Sequence, residues 1–371
     1  MKLNKAQLLT FILCFFVNNN IHAQWHKIAP YFNPSPLYQN VIEEYCSPLQ
    51  FYNGANVTNR AEWKKRRNEI RTQWMKLIGE WPPLLQDQEF EIVEKEKREN
   101  FVQYKVRFYW TPIEQTTGYL LIPDKKGEKP AVISVFYEPE TAIGKSDKTN
   151  RDFAYQLTKQ GFITLSIGTS QSTKEGIYSI YYPSYENATL QPLSALAYAA
   201  ANALEALAKV ENVNPDKIGI IGHSFGGKWA MFASCLYEKF AAAVWIDPGI
   251  VFDETKGANV NYWEPWYLGY YPPPWNNTWS SDGDNSRGVY RDLRERRHDL
   301  HELHTLMAPR PFLVSGGSSD PIERWAALNH SVEVIKLLGY THRVAMTNRV
   351  EHEPNEESNE IVYSFLEWFL K

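Results

Sequence analysis

The chain has 371 residues, 43% hydrophobic and 22% charged, and its 39 Lys and Arg against 43 Asp and Glu give a formal net charge of -4. That is apolar material for a sizeable core, while a near-neutral balance with no basic stripe excludes an electrostatic case for nucleic acid. Of the three cysteines, Cys14 falls in the leader described next, and Cys46 and Cys235 are too few for a disulfide scaffold.

At the N-terminus, Lys2 and Lys5 precede the apolar run from Leu8 to Val17, and Ile21-His-Ala23 offers a small residue for cleavage before Gln24. This is the layout of a secretory signal peptide over residues 1–23, too short to span a bilayer, so the protein is expected to be secreted or periplasmic with no stable membrane span. Residues 24–371 then read as one domain, whose first part, 24–88, is a segment wrapping over the rest. Within it Trp63, Ile70, Trp74 and Leu77 recur at helical spacing between Asn59, a capping residue, and Gly79, which predicts an amphipathic helix docked on the core.

Phe90 to Arg98, Phe101 to Trp110 and Thr117 to Pro123 read as antiparallel strands. Strands at 131–136 and 162–167 follow, with a helix over 149–160 between them and a long Ala/Leu-rich helix over 190–210 after them. A strand from Lys217 leads into Gly222-His-Ser-Phe-Gly226 and an apolar helix over 228–237. Later strands are expected at 241–246, 311–315 and 343–347, with helices near 321–338 and 357–370. Alternation of this kind predicts a doubly wound, mostly parallel sheet with helices on both faces.

The Gly-x-Ser-x-Gly pattern between strand and helix is the signature of a nucleophile elbow, in which glycines allow close strand-to-helix approach and Ser224 is held at the sheet edge. That order of elements is that of an α/β-hydrolase fold, in which the acid and the base follow the Ser along the chain. Asp320 ends the run Pro311-Phe-Leu-Val-Ser-Gly-Gly-Ser-Ser-Asp320, and His352 lies just past the last strand. These are the expected acid and general base. Asp247, directly after the strand at 241–246, is the alternative acid, with a turn cap as its plainer reading. By position, the backbone amides of Phe225 and Tyr137 would face the oxyanion.

His298, His301 and His304 recur every third residue, a spacing that spreads around a helix, so the expectation is no metal site but a helix surface or packing role. The stretch from Asn261 to Ser280 carries Trp263, Trp266, Tyr267, Tyr270, Tyr271, Trp275 and Trp279. It leaves the sheet between two strands whose ends form the catalytic edge, which predicts an aromatic-rich overhanging loop, part sugar-stacking surface and part satellite core. Trp263, Trp266 and Lys228 are the substrate-binding candidates. Arg287, Arg291 and Arg324 are further cations that could equally be solvated.

The elbow, the helical stretch with Trp63 and Trp74, Asp320 and His352 together resemble the secreted α/β-hydrolase carbohydrate esterases of polysaccharide-degrading bacteria: acetylxylan esterases, glucuronoyl esterases and pectin methylesterases. Glucuronoyl esterases carry an Arg after the nucleophile, where this chain has Phe225, and often take their acid where it has Asp247. The phrases Trp263-Glu-Pro-Trp-Tyr-Leu-Gly269 and Ala308-Pro-Arg-Pro-Phe-Leu-Val-Ser-Gly-Gly317 look most similar to the pectin methylesterase-like branch. The resemblance implies a serine carbohydrate esterase without a cofactor, acting on a polysaccharide or oligosaccharide ester. Methyl esters of pectic uronic acids are the first expectation, with a sugar O-acetylesterase as the alternative and a catalytically silent glycan-binding protein as the reading from another class.

Overall fold

Period-two alternation in the strands decides which side of the sheet each side chain covers, and the computed structural model of the protein shows the consequence. It describes residues 24–371 apart from 43–44, 171–178, 256–260 and 276–285, so the expected signal peptide and Trp279 lie outside the described residues. The strands are β1 (Glu91–Lys97), β2 (Phe101–Tyr109), β3 (Gln115–Pro123), β4 (Lys129–Phe136), β5 (Ile163–Gly168), β6 (Val213–His223), β7 (Ala242–Ile246), β8 (Phe312–Gly316) and β9 (Val344–Asn348). They form one sheet in the order β1-β2-β3-β5-β4-β6-β7-β8-β9. The β1-β2-β3-β5 pairs are antiparallel and the others parallel, so a meander of three strands is followed by a parallel sheet.

In β7, Ala243 and Trp245 face one core while Ala242, Val244 and Ile246 face the other. Both faces are apolar because both are covered by helices, as a parallel sheet requires. The helices are α1 (Arg60–Ile78), α2 (Pro139–Ala142), α3 (Phe153–Lys159), α4 (Pro192–Leu207), α5 (Phe225–Leu236), α6 (Val289–Glu295), α7 (His301–Thr305), α8 (Trp325–Leu337) and α9 (Glu356–Leu370). Residues of α4, α5 and α8 pack into the larger core, and those of α3 and α9 into the smaller one. Every residue of α4 is buried, which its run of alanines permits: a helix apolar all round has to lie inside.

The N-terminal segment is fastened by specific contacts. Asn59 caps α1 by accepting from the amides of Ala61 and Glu62 at 3.0 Å each. Trp63, Ile70 and Trp74 are buried as the spacing predicts, and so is Arg66, at 1% exposure. Charge inside a core needs partners; Glu69 of the same helix pairs with Arg66 at 2.6 Å, and the second carboxylate is Glu302 of α7. It accepts from Trp74 Nε1 at 3.0 Å, from Tyr52 at 3.1 Å and from Arg66 at 3.5 Å, and pairs with His298 Nδ1 at 2.7 Å.

The histidines of this region are therefore not on a helix surface; they pack inside. His301 Nε2 donates to the Cys46 carbonyl at 2.7 Å, its ring lies 4.9 Å from that of His330, and His304 lies 5.3 Å from Trp245. Both ring nitrogens of His304 and of His330 are buried without a partner. Burial holds His304 well below the ordinary imidazole range and, with His301 nearby, pushes His330 down to about 3. Burial also lowers His301, although the Glu302 charge acts the other way.

The imidazoles of His301, His304 and His330 fold neutral, whereas the unfolded chain takes up their protons near pH ~6.5. Below that value the unfolded state binds more protons, so stability is complete above about pH 6.5 and declines as the pH falls toward 3. Urea unfolding should give a clearly lower midpoint at about pH 5 than at about pH 7.5, and His330→Phe should flatten that dependence. Equal midpoints at the two pH values would show that the cluster does not behave this way.

Candidate active site

Between β4 and β6 the chain changes direction, since β4 connects outward to β5 on one side and β6 to β7 on the other. In open α/β sheets the crevice beyond the strand ends at such a reversal is where ligands bind. β6 ends there at His223, and the next residue, Ser224, has φ 56° and ψ -116° before α5 begins. A non-glycine residue in that region costs about 1–3 kcal/mol, so the surroundings must hold it. They do so by close approach. A Cβ on Gly222 would collide with the Gly226 carbonyl, and one on Gly226 with the Val135 carbonyl of β4. The Ser224 amide also donates to Ile246 at 2.8 Å, tying the turn to the end of β7. Ser224 keeps partial exposure while its neighbours on both sides are buried.

His352, in the loop between β9 and α9, reaches Ser224 with Nε2 2.9 Å from Oγ. Its Nδ1 lies 2.7 Å from Asp247 Oδ2. The three side chains form a line in which the hydroxyl donates to one imidazole nitrogen and the other donates to a carboxylate, the geometry of an activated nucleophile. Asp247 itself is fully buried with φ 48°. It also accepts from the amides of Gly317 at 2.6 Å, Asp320 at 2.8 Å and Ser319 at 3.2 Å.

The expected acid is thus corrected: the structure places Asp247, not Asp320, against His352. The reason lies in the Gly316-Gly317 turn, which folds back beneath the β7 end so that a Cβ on Gly317 would lie 2.8 Å from Asp247 Oδ2. Through that fold the turn offers its amides to Asp247, while the Asp320 side chain passes to the far side. There it accepts from Gly249 at 2.8 Å and Ile250 at 2.6 Å. Burial and the neighbouring Asp247 charge push the Asp320 carboxyl up, against those two amides.

Lys228 departs from its expected place in a ligand pocket. It is 3% exposed, donates to the Pro248 carbonyl, and its Nζ lies 4.5 Å from the Tyr262 ring centre and 5.7 Å from that of Tyr267. Burial pushes its ammonium down, and the charges of Asp320 and Asp247 oppose that. Trp263 is likewise interior, 2% exposed and edge-on to Tyr290 at 5.9 Å. Trp266 keeps partial exposure. Tyr181, Tyr185, Tyr270 and Trp275 form a small core of their own, so part of the aromatic excursion is satellite packing. Tyr267 interacts through its hydroxyl with Tyr137, which brings the excursion over the end of β4. Arg291 pairs with Glu295 at 3.0 Å and Arg324 with Asp253 at 2.5 Å, while Arg287 lies 5.1 Å from the Tyr271 ring centre.

Phe225, the first residue of α5, and Tyr137, the first after β4, come together with rings stacked 4.5 Å apart at 11°. Amides in the first turn of a helix have no acceptor within it, so that of Phe225 suits a developing negative charge. Two further residues escaped the sequence reading. Arg349 NH1 donates to the carbonyls of Ser315 at 2.9 Å and Gly316 at 3.0 Å, and NH2 to that of His352 at 2.6 Å. His223 Nε2 lies 3.0 Å from the same His352 carbonyl. A His preceding the nucleophile and an Arg three residues before the base were visible signals, but ordinary ones. Among the described residues no group of three or more His, Cys, Asp or Glu could hold a metal ion.

Comparison with known proteins agrees with this architecture. A family model described as an Abhydrolase family matches residues 32–245, and one described as an Alpha/beta hydrolase family matches residues 150–355. A 4-O-methyl-glucuronoyl methylesterase from Podospora anserina is 23% identical over 296 residues, 76% of this chain and 56% of that protein. The chain thus spans about half the length of that curated relative. Among solved structures, a glucuronoyl esterase from Solibacter usitatus superposes with a TM-score of 0.68 at 17% identity, over 89% of this chain and 99% of its own. A carbohydrate esterase family 15 glucuronoyl esterase from Caldicellulosiruptor kristjansonii gives 0.62 at 21% identity, over 91% and 93%. At these identities the structural likeness is one of fold.

The geometry predicts that Ser224 reacts covalently with a fluorophosphonate probe. Asp247→Asn should slow that labelling by roughly 10³–10⁴-fold, because an amide there favours the wrong imidazole tautomer, and Asp320→Asn by far less. Labelling rates measured on the two folded variants decide it; the reverse ranking would restore Asp320 as the acid.

Proposed function

The chain belongs to the α/β-hydrolase family, and from that premise we propose that it is a serine carboxylic ester hydrolase acting on uronic acid esters of polysaccharides. The observation that carries the chemistry is the unbroken line from Ser224 through His352 to Asp247, at 2.9 and 2.7 Å. Ser224 Oγ attacks the ester carbonyl carbon as His352 Nε2 takes its proton, and Asp247 steadies the imidazolium so formed. The oxyanion of the tetrahedral intermediate faces the amides of Phe225 and Tyr137. On collapse the alcohol leaves with the proton held by His352, and an acyl-Ser224 ester remains. Water, deprotonated by the same imidazole, then releases the acid and restores the hydroxyl.

The substrate class is supported by the relatives, whose names specify glucuronoyl esters, and by the Tyr137, Phe225 and Tyr267 rings that meet at the elbow. In a uronate methyl ester the sugar is the acyl group, so its ring must lie beside Ser224, and the partly exposed Trp266, linked to the elbow through Tyr267, Tyr137 and Phe225, is the aromatic face assigned to it. Glucuronate takes precedence over the pectic galacturonate of the first expectation because the relatives are named for it. Export by the N-terminal leader suits a polymeric substrate. Among the described residues no helix is long and apolar enough to cross a membrane.

Methyl 4-O-methylglucuronate, methyl-esterified oligogalacturonate and acetylated xylo-oligosaccharide, offered separately, distinguish the options. Methanol release from the first above the second is expected; methanol from the second alone would move the activity to pectin, and acetate as the sole product would end the uronate reading. Trp266→Ala should raise KM for an oligosaccharide methyl ester about tenfold while leaving that for a small aryl acetate within about twofold. Equal KM changes on both esters would remove Trp266 from the sugar site.

A further inference from the structure

We infer that His223 is a positioning residue that sets the reach of His352 by holding that residue's own carbonyl oxygen, an inference that rests on the serine-esterase reading above. The base sits on an irregular loop whose neighbours Val350, Glu351 and Glu353 are exposed, Val350 to 84%. Loops of this kind are the mobile part of a fold. Yet the imidazole must keep two hydrogen bonds in opposite directions, to Ser224 and to Asp247, and a misplacement of about 1 Å can cost ~100-fold in rate.

Two donors meet at the His352 carbonyl: Arg349 NH2 at 2.6 Å and His223 Nε2 at 3.0 Å. They saturate the lone pairs of that oxygen. Arg349 reaches it from β8 and the base loop itself, through its bonds to Ser315, Gly316 and, by Nε, the Glu353 carbonyl at 2.7 Å. His223 reaches it from the elbow. Because His223 is bonded in sequence to Ser224, the strand end that presents the nucleophile also gauges the distance to the base.

Apart from the His352 ring itself, 4.7 Å away, nothing in the surroundings of His223 accounts for a histidine there. Its side chain is buried at 1% exposure, its ring stacks 6.2 Å from Phe136, and its Nδ1 is buried without a partner. With a carbonyl as its acceptor, Nε2 must carry the hydrogen, which leaves Nδ1 bare. Burial, with His352 and Arg151 near, keeps the ring neutral and so fixes the tautomer. An apolar ring would fill the same space without an orphaned nitrogen, so the histidine is retained at a cost to stability and for its one bond.

Stability and activity are therefore expected to move apart. His223→Phe should leave Tm unchanged or raised, while kcat for an activated aryl acetate falls roughly 10–100-fold with KM within about twofold. His223→Gln, whose amide nitrogen can occupy the place of Nε2, should recover most of that loss; His223→Asn, whose nitrogen corresponds to Nδ1, should not. Turnover that survives Ser224→Ala would overturn the reading of the site and the inference with it. Turnover that needs Ser224 but is unchanged by His223→Phe overturns the inference alone, as does an equal loss in the Phe and Gln variants or a loss that follows Tm.

Discussion

Four donors converge on the carboxylate of Asp247, and they come from two other chain segments. The amides of Gly317, Ser319 and Asp320 come from the turn after β8, and the imidazole of His352 from the loop after β9. A buried anion without donors would be prohibitive, so the carboxylate dictates how the β8 turn must fold, and the folded turn in turn fixes where the oxygen facing His352 lies. Asp320 continues the chain of dependence by holding the amides of Gly249 and Ile250 just beyond Asp247. The two aspartates thus brace each other's backbones, and the Lys228 ammonium beside them offsets part of their charge.

The elbow imposes the second constraint. Its strained Ser224 survives because β4, β6 and α5 approach one another as closely as backbone allows, which is why Gly222 and Gly226 cannot carry side chains. The same approach brings Tyr137 of the β4 end beside Phe225 of the α5 start. Ser224 and the two residues proposed to face the oxyanion therefore belong to one construction, whereas Asp247 and His352 come from the later strands.

Much of this was legible from the chain. Glycine spacing and the apolar runs pointed to the elbow, the parallel strands and the loop bearing His352, because these depend on local pattern. The choice between Asp247 and Asp320 did not, since strand, turn and carboxylate occur at both places and only the fold-back at Gly317 separates them. Lys228 follows the elbow immediately, which suggested a substrate-side cation; Tyr262 and Tyr267, distant in sequence, cover it. The burial of the histidines at 298–304 depends on α1 docking against α7 through Glu302. His223 and Arg349 act on a carbonyl, and backbone acceptors leave no trace in a sequence.

The chain order Ser224, Asp247, His352 has a temporal side. The sheet grows from β6 toward the β9 edge in sequence order, so a ribosome delivers Ser224 with about two fifths of the chain still to come. Until the loop after β9 is made, no imidazole is at hand for Ser224 or Asp247. A chain cut before residue 344 would lack the His352 bonds to Ser224 and Asp247 and would also strip the smaller core of Val362, Phe365, Leu366 and Leu370.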